Sequence, residues 1–230
     1  LFCGWGMVTR HAMPWDPPAD NETFLRATRD IKDFIFSSRK VYTKDDIDTL
    51  MWRHYVIDWC VRYVVEFAEV EHFSFVECGT AFGWSAFFAM RRLAECKRTG
   101  QIQSFFTHVY DAFKATGKYG DLSQDKAESN LSEFLDNMTW HPGYLPGTLH
   151  EPPEPPEIVN FLHIDINTAQ ESIDVCEFFL DCFGERGLIL FDDYGHKAHK
   201  ELKVLVDAYC ADKPGLLLPL PTGQSVYFVN

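Results

Sequence analysis

Short apolar segments alternate with longer helical segments along the chain after residue 70, and this alternation constrains the fold more than any other feature. Strands are predicted at 73–78, 105–110, 138–141, 158–164, 187–191, 216–220 and 225–229. Helices are predicted between them at 84–96, 123–137, 172–182 and 196–210. Repeated strand–helix units favour an α/β fold in which helices cover both faces of a mostly parallel sheet. The last two strands, joined by a turn around Thr222 and Gly223, favour an antiparallel C-terminal hairpin.

The N-terminal part of the chain has a different pattern. Residues 1–42 are rich in prolines and charges and show weak apolar periodicity. We predict an extended or partly helical lead-in there, which packs on the following domain or covers it as a lid. From Thr43 to about Glu69 the pattern predicts a long helix, with acidic residues in its first turn where the helix dipole favours them. The predicted organisation is a lead-in over 1–42 followed by one domain over 43–230.

Charge and cysteine usage narrow the classes of partner. The net charge of −13, from 34 acidic and 21 basic residues, repels phosphate backbones and anionic lipid. We therefore expect no nucleic-acid or membrane partner, and a small molecule or a metal ion instead. Seven cysteines without paired spacing predict free thiols in a reducing compartment, and no membrane-length apolar run or signal-peptide pattern is visible. The predicted location is cytoplasmic.

Acidic residues follow several of the predicted strands. Glu77, Asp111, Asp165 and the pair Asp192-Asp193 all stand at strand ends. In an open α/β sheet, ligands bind beyond the carboxyl ends of the parallel strands. One such acid is often only a helix cap or a turn former. Their coincidence on one edge predicts a ligand site.

The loop after the first strand has the spacing Glu77-x-Gly79-x-x-x-Gly83 and leads into a predicted helix at Trp84-Ser85. Glycines let the backbone approach a ligand closely, and free N–H groups at a helix N-terminus can bind a carboxylate. The loop matches neither the dinucleotide fingerprint nor the P-loop, and a tight turn for packing remains an alternative. Asp111, one strand later, can accept hydrogen bonds from both ribose hydroxyls of a nucleoside.

Three carboxylates, from Asp165, Asp192 and Asp193, are predicted to meet at the ends of neighbouring strands. Without basic partners they repel one another unless a cation lies between them, and ligation by oxygen atoms alone favours Mg²⁺. Alternatively, one of the paired aspartates caps the next helix. An iron site built from His163, Asp165 and a later histidine is disfavoured, because such sites usually lie on antiparallel jelly rolls.

Several motifs occur together in a recognisable order: Phe75-Val-Glu-Cys-Gly-Thr80, Tyr110-Asp-Ala-Phe113, His141-Pro-Gly-Tyr144 with Thr148-Leu149, Leu162-His-Ile-Asp165 and Phe191-Asp-Asp-Tyr-Gly195. In this order, over roughly residues 45–212, the chain resembles the macrocin O-methyltransferase family of S-adenosylmethionine-dependent enzymes. The resemblance implies a Rossmann-like class I methyltransferase fold with a seven-stranded sheet. It also implies Mg²⁺-assisted methyl transfer to a hydroxyl group, typically on a sugar attached to a natural product.

The resemblance also implies roles for individual residues. The metal ligands would be Asp165, Asp192 and Asp193. The residues that bind S-adenosylmethionine would be Glu77, Gly79, Thr80, Gly83, Ser85, Asp111, Phe113, Gly143, Tyr144 and Asp165. In the family the general base lies where this chain has Asn167, and Ala169 replaces the family's tyrosine. An amide does not accept a proton at neutral pH.

The catalytic candidates are therefore Asp165, Asn167 and His196. His196 is the predicted proton acceptor because its ordinary pKa lies near neutral pH, with His163 as the second choice. Three hypotheses follow: a sugar O-methyltransferase, a phenol or catechol O-methyltransferase with the same metal site, and a cofactor-binding protein that has lost catalysis. The aromatic-rich lead-in could also cover a second copy of the chain, so a homo-oligomer is a further possibility.

Overall fold

A computed structural model describes residues 18–34, 44–114 and 122–230. The helices are α1 (Pro18–Phe34), α2 (Lys44–Phe67), α3 (Trp84–Arg98), α4 (Gln124–Asn130), α5 (Ala169–Phe179) and α6 (Lys200–Ala211). The strands are β1 (His72–Cys78), β2 (Ser104–Asp111), β3 (Met138–Pro142), β4 (Val159–Ile164), β5 (Phe183–Phe191), β6 (Gly215–Pro219) and β7 (Ser225–Val229).

All seven strands form one sheet in the order β3-β2-β1-β4-β5-β7-β6. Strands β1 to β5 pair in parallel, whereas β7 is antiparallel to both β5 and β6. The predicted mostly parallel sheet with an antiparallel C-terminal hairpin is confirmed. The strand order reverses between β1 and β4, and such a switch point opens a crevice at the carboxyl ends of the strands.

Alternate residues of the central strands enter two different cores. Phe75 and Phe161 pack with helices α1 to α3 on one face of the sheet, and their rings stack at 5.0 Å. Val76 and Leu162, the next residues along, pack with α5 and α6 on the other face. Both faces of these strands are therefore buried, which is typical of a parallel sheet covered by helices.

Part of the predicted lead-in is helix α1, which packs on the domain. Phe24 of α1 is fully buried, and its ring lies 5.3 Å from the rings of both Tyr55 and Phe88. Residues 1–17 and 35–43, including the predicted helix start at Thr43, lie outside the described residues. The predicted boundary between 42 and 43 remains a prediction.

Three helices differ from the predictions. The helix predicted at 123–137 ends at Asn130, whose side chain donates a buried hydrogen bond to the carbonyl of Phe82, and a 3-10 segment (Ser132–Asn137) follows. Ser123 precedes α4 but makes no side-chain capping bond. Helix α5 begins three residues before the predicted start, and α6 begins at Lys200 rather than His196. Within the described ranges, no helix has the length and apolar character needed to cross a membrane.

Candidate functional site

A cavity of about 470 Å³ lies at the carboxyl ends of the parallel strands. It brings together the loop after β1, Asp111 after β2, Gly143 and Tyr144 after β3, Asp165 and Asn167 after β4, and Asp192 and Asp193 after β5. Helix α2 adds a wall that the sequence analysis did not include, formed by Leu50, Arg53, His54 and Ile57. Thr80 and Ser85 also line this cavity, whereas Glu77, Gly83, Phe113 and His196 are not among its lining residues.

The glycine loop is shaped by close contact with the neighbouring strand end. Gly79 has φ +91°, and its N–H donates to the carbonyl of Tyr110 at 2.8 Å. A Cβ atom at Gly79 would lie 2.1 Å from the carbonyl oxygen of Asp165. Because backbone oxygen cannot give way as a flexible side chain can, this position needs glycine. Gly83, with φ +86°, precedes α3 at its N-terminus.

Glu77 does not line the cavity but holds two of its lining residues in place. Its carboxylate is fully buried and accepts hydrogen bonds from the Thr80 hydroxyl at 2.5 Å and from Nδ1 of His163 at 3.0 Å. Thr80 and His163 both line the cavity. Glu77 therefore connects the glycine loop to strand β4, which fixes the two sides of the crevice relative to each other.

Asp111 is held by main-chain donors. Its two carboxylate oxygens accept the N–H of Ala81 at 2.8 Å and the N–H of Phe113 at 2.7 Å. Burial raises the pKa of the Asp111 carboxyl, and these two hydrogen bonds oppose the rise. The two carboxylate oxygens together offer about four lone pairs, more than the main-chain donors use, so the carboxylate can still accept a hydrogen bond from a ligand. Close by, Tyr144 is 65% exposed with the Lys114 ammonium 5.7 Å from its ring centre.

Asp165, Asp192 and Asp193 form a cluster that we call the carboxylate rim. Each residue offers one oxygen, and these oxygens lie within 4.8 Å of one another. Backbone hydrogen bonds from Asp165 N–H to Cys78 and from Asp192 N–H to Ile164 fix the two strand ends. Burial and the charges of Asp192 and Asp193 raise the pKa of Asp165 well above its usual range.

The carboxylate rim has a basic partner, which corrects the premise that the three acids converge without one. The Arg53 guanidinium of α2 donates to a carboxylate oxygen of Asp192, to the Asp192 carbonyl at 2.6 Å and to Oδ1 of Asp193 at 3.2 Å. The Arg53 side chain is 5% exposed. Burial alone would lower the pKa of Arg53, but the three aspartates outweigh it and raise that pKa.

Asp192 is the most heavily bonded of the three acids. Gln224, at the start of the hairpin strand, donates to its Oδ1 at 2.7 Å, and Nε2 of His163 lies 3.5 Å from the same oxygen. Burial would raise the pKa of Asp192, but Arg53 and His163 hold it below its usual range. Burial likewise opposes the charge on His163, yet the neighbouring carboxylates of Asp192 and Glu77 raise its pKa to about 10.

The remaining catalytic candidates differ in their access to the cavity. Asn167 lines it, in a left-handed backbone conformation with φ +57°. His196 lies outside the lining, with its Nδ1 3.3 Å from the Ala198 nitrogen. His54, which the sequence analysis missed, lines the cavity and stacks on Phe88 at 4.5 Å. Burial lowers the pKa of His54 to about 3, so its imidazole is neutral at physiological pH.

The residues of the carboxylate rim fit a hard divalent cation. Their ligand atoms are all oxygens at the mutual spacing that one ion can bridge. Within residues 18–34, 44–114 and 122–230, no hydrogen bond to the Asp165 carboxylate is found, so its lone pairs are available. The hydrogen bonds to Asp192 and Asp193 are of the kind that orient metal ligands from outside.

Comparison with known proteins identifies the family. A sequence profile of the methyltransferase domain matches residues 76–194, which include the glycine loop, Asp111 and the carboxylate rim. The chain belongs to this methyltransferase family. Helix α2, with Arg53 and His54, lies outside the matched stretch. The sequence of this chain matches no curated protein sequence.

Solved structures show the same fold. The O-methyltransferase NovP superposes with a TM-score of 0.65 at 17% identity, over 80% of this chain and 81% of NovP. An O-methyltransferase from Bacillus cereus in complex with SAH gives 0.58 at 14% identity, over 95% and 94%. CalS11, a TDP-rhamnose 3'-O-methyltransferase, gives 0.56 at 16% identity, over 93% and 95%. The predicted class I methyltransferase fold is confirmed.

Proposed function

We propose that this methyltransferase transfers the methyl group of S-adenosylmethionine to a hydroxyl group of a small molecule, with Mg²⁺ bound at the carboxylate rim. The observation that carries the proposal is that the glycine loop, Asp111 and three carboxylates open into one cavity of about 470 Å³. The order of motifs resembling macrocin O-methyltransferases supports it. A sugar hydroxyl is the first candidate acceptor, since CalS11, which shares the fold, is a TDP-rhamnose 3'-O-methyltransferase.

The cofactor would lie along the half of the cavity formed by β1, β2 and β3. Asp111 has free lone pairs for the ribose hydroxyls, and the exposed Tyr144 ring beside it offers a surface for the adenine. The tight turn at Gly79 would let the backbone approach the methionine part. The other predicted cofactor residues, the cytoplasmic location and self-association remain predictions alongside this assignment.

Methyl transfer requires in-line attack of the acceptor oxygen on the methyl carbon, so that an oxygen–carbon bond forms as the sulfur–carbon bond breaks. Asp165, Asp192 and Asp193 would hold the divalent ion, which supplies positive charge beside the acceptor oxygen. The hydroxyl proton must leave to a neutral or anionic acceptor. His163 is already charged. His54 lines the cavity and is neutral, but burial lowers its pKa to about 3, so its imidazole is too weak a base to take this proton. We therefore keep His196 as the proposed proton acceptor and assign no such role to His54.

Thermal unfolding with added ligands tests the proposal. S-adenosylhomocysteine should raise the melting temperature, and Mg²⁺ should raise it further in the native protein. Asp193→Asn should remove most of the Mg²⁺ response, while the exposed Asp136→Asn serves as the matched control and should keep it. A shift with a nicotinamide nucleotide but none with S-adenosylhomocysteine would contradict the cofactor assignment.

Activity is then measured as a mass gain of one methyl group on sugar nucleotides and on catechols. Methylation of the sugars supports the first candidate acceptor, and methylation of the catechols alone favours the phenol or catechol hypothesis. Binding of S-adenosylhomocysteine without turnover of any acceptor would favour the hypothesis of a protein that has lost catalysis, for which Asn167 is the main argument.

A further inference from the structure

Arg53 has features that the proposed methyl transfer does not require. It comes from a helix outside the matched methyltransferase stretch, and it binds two of the three acids of the carboxylate rim with a side chain that is 5% exposed. It also donates to the carbonyl of Asp192, which fixes the end of strand β5. A surface ion pair would be mobile and solvated, whereas this guanidinium donates to oxygens of Asp192 and Asp193 inside the molecule.

We propose that Arg53 is the resident cation of the carboxylate rim: a positioning residue that keeps Asp192 and Asp193 together before any divalent ion binds. The consequence is that the rim is assembled in the metal-free protein. The divalent ion is then needed for chemistry and not for the structure of the site. The metal part of this inference rests on the proposed function.

The local charges explain why such a residue is needed. Four carboxylates, from Glu77, Asp165, Asp192 and Asp193, lie around one network that contains the buried Arg53 and His163. A further histidine, His199, lies 3.8 Å from Asp193 and is a quarter exposed. His163 is buried between Glu77 and Asp192. The oxygens of Asp192 and Asp193 lie within 4.8 Å of each other. Without the Arg53 guanidinium, the two negative charges would repel each other strongly, because water screens them poorly inside the protein.

The same geometry predicts how Arg53 affects a metal ion. A guanidinium and a divalent ion that share Asp192 and Asp193 as partners repel each other. Arg53 therefore weakens metal binding while it removes the need for metal in the apo protein. Loss of the arginine should reverse both effects, so that stability becomes dependent on metal and the affinity for metal rises.

The test is thermal unfolding of the full chain in EDTA and in MgCl₂, for the native protein and for Arg53→Met. In EDTA, Arg53→Met should melt about 10 °C lower, as expected when one partner of a buried ion pair is removed. Mg²⁺ should recover at least half of that loss, while its effect on the native protein stays at a few degrees. Mn²⁺ titration followed by electron paramagnetic resonance should show about tenfold tighter binding to Arg53→Met.

Two variants separate this role from a general loss of stability. Arg53→Lys keeps the charge and should recover most of the melting temperature in EDTA. Arg92→Met is the matched control, because Arg92 forms a buried ion pair with Asp58 away from the rim, at 2.8 Å. Arg92→Met should also have a lower melting temperature than the native protein, but Mg²⁺ should not raise it again.

The inference is overturned if Arg53→Met has the same melting temperature as the native protein in EDTA. It is also overturned if Mg²⁺ raises the melting temperature of both proteins by the same measurable amount, or if Mn²⁺ binds both with the same measurable affinity. If Arg53→Met melts at a lower temperature in EDTA and neither protein responds to Mg²⁺ or Mn²⁺, the metal site of the proposed function fails, while the positioning role of Arg53 is supported.

Discussion

The two halves of the cavity are held together in different ways. In the half formed by β1 and β2, Asp111 is fixed by main-chain N–H groups 30 and 2 residues away in the sequence. In the carboxylate rim, Asp192 is fixed by the side chains of Arg53 and Gln224, which are 139 and 32 residues away. A geometry built by the backbone depends on a few glycines and a short loop. A geometry built by side chains depends on which helix packs over the site.

The largest effect is expected in the half of the cavity that main-chain groups hold together. Gly79→Ala places a methyl group 2.1 Å from the carbonyl oxygen of Asp165, at a φ of +91° that alanine adopts with difficulty. We expect a loss of about 3 kcal/mol or more in the free energy of unfolding, because strain and overpacking add. Urea unfolding measures the loss, and S-adenosylhomocysteine binding should be abolished in calorimetry.

The control for this variant is Gly100→Ala. Gly100 also has a positive φ, +76°, but no atom lies within 4 Å of the position of its Cβ. Its substitution should cost about 1 kcal/mol from backbone strain alone and leave ligand binding intact. Equal losses for the two variants would show that the contact with Asp165 is unimportant.

A smaller effect distinguishes the two halves directly. Asp111→Asn should weaken binding of S-adenosylhomocysteine about tenfold or more, because a charged hydrogen-bond acceptor is replaced by a neutral amide. Asp193→Asn, at the carboxylate rim, should change this affinity by no more than about twofold while it reduces the Mg²⁺ response. Calorimetric titration of both variants checks the contrast, and a larger loss of cofactor affinity in Asp193→Asn would reverse the assignment of the halves.

The smallest effect is a predicted gain in stability. His54 is buried, and within the described ranges its Nδ1 has no hydrogen-bond partner, which costs free energy. His54→Phe keeps a flat ring against Phe88 and should raise the free energy of unfolding by about 1 kcal/mol at neutral pH. The exposed His150→Phe is the matched control and should change it little.

The same variant should alter the pH dependence. The pKa of His54 is lowered from 6.5 to about 3 in the folded protein, so between these values the unfolded chain binds a proton that the folded chain does not. Stability is therefore lost as the pH falls through that window. Unfolding at pH 7.5 and pH 5 should show a smaller loss in His54→Phe than in the native protein. An unchanged slope would mean that His54 is not held neutral.

Much of the fold was predictable because it depends on local patterns. Alternating apolar segments gave seven strands within a few residues of their observed bounds, since a strand that is buried on both faces must be apolar along its length. The interruption after Asn130 was not predictable. It depends on a hydrogen bond from Asn130 to Phe82, 48 residues earlier, which no helical periodicity contains.

The same distinction between local patterns and distant contacts applies to the residues of the candidate site. The acids at strand ends were found because parallel strands all present their carboxyl ends to one edge of the sheet. Arg53 and His54 were missed, although they share one face of α2 with Leu50 and Ile57 at helical spacing. That spacing alone describes a helix packed on a core. It does not say that the core residues it meets are carboxylates.

By itself, the sequence determined the order of strands and helices, the glycine loop and the edge at which the acids meet, because each follows from backbone periodicity and chain direction. Only the tertiary structure decided that the carboxylate rim is neutralised in part by an arginine and that a neutral histidine lines the cavity. Side chains more than a hundred residues apart, such as Arg53 and Asp192, come into contact only because a helix packs over the end of the sheet. Local sequence patterns do not encode which helix does so.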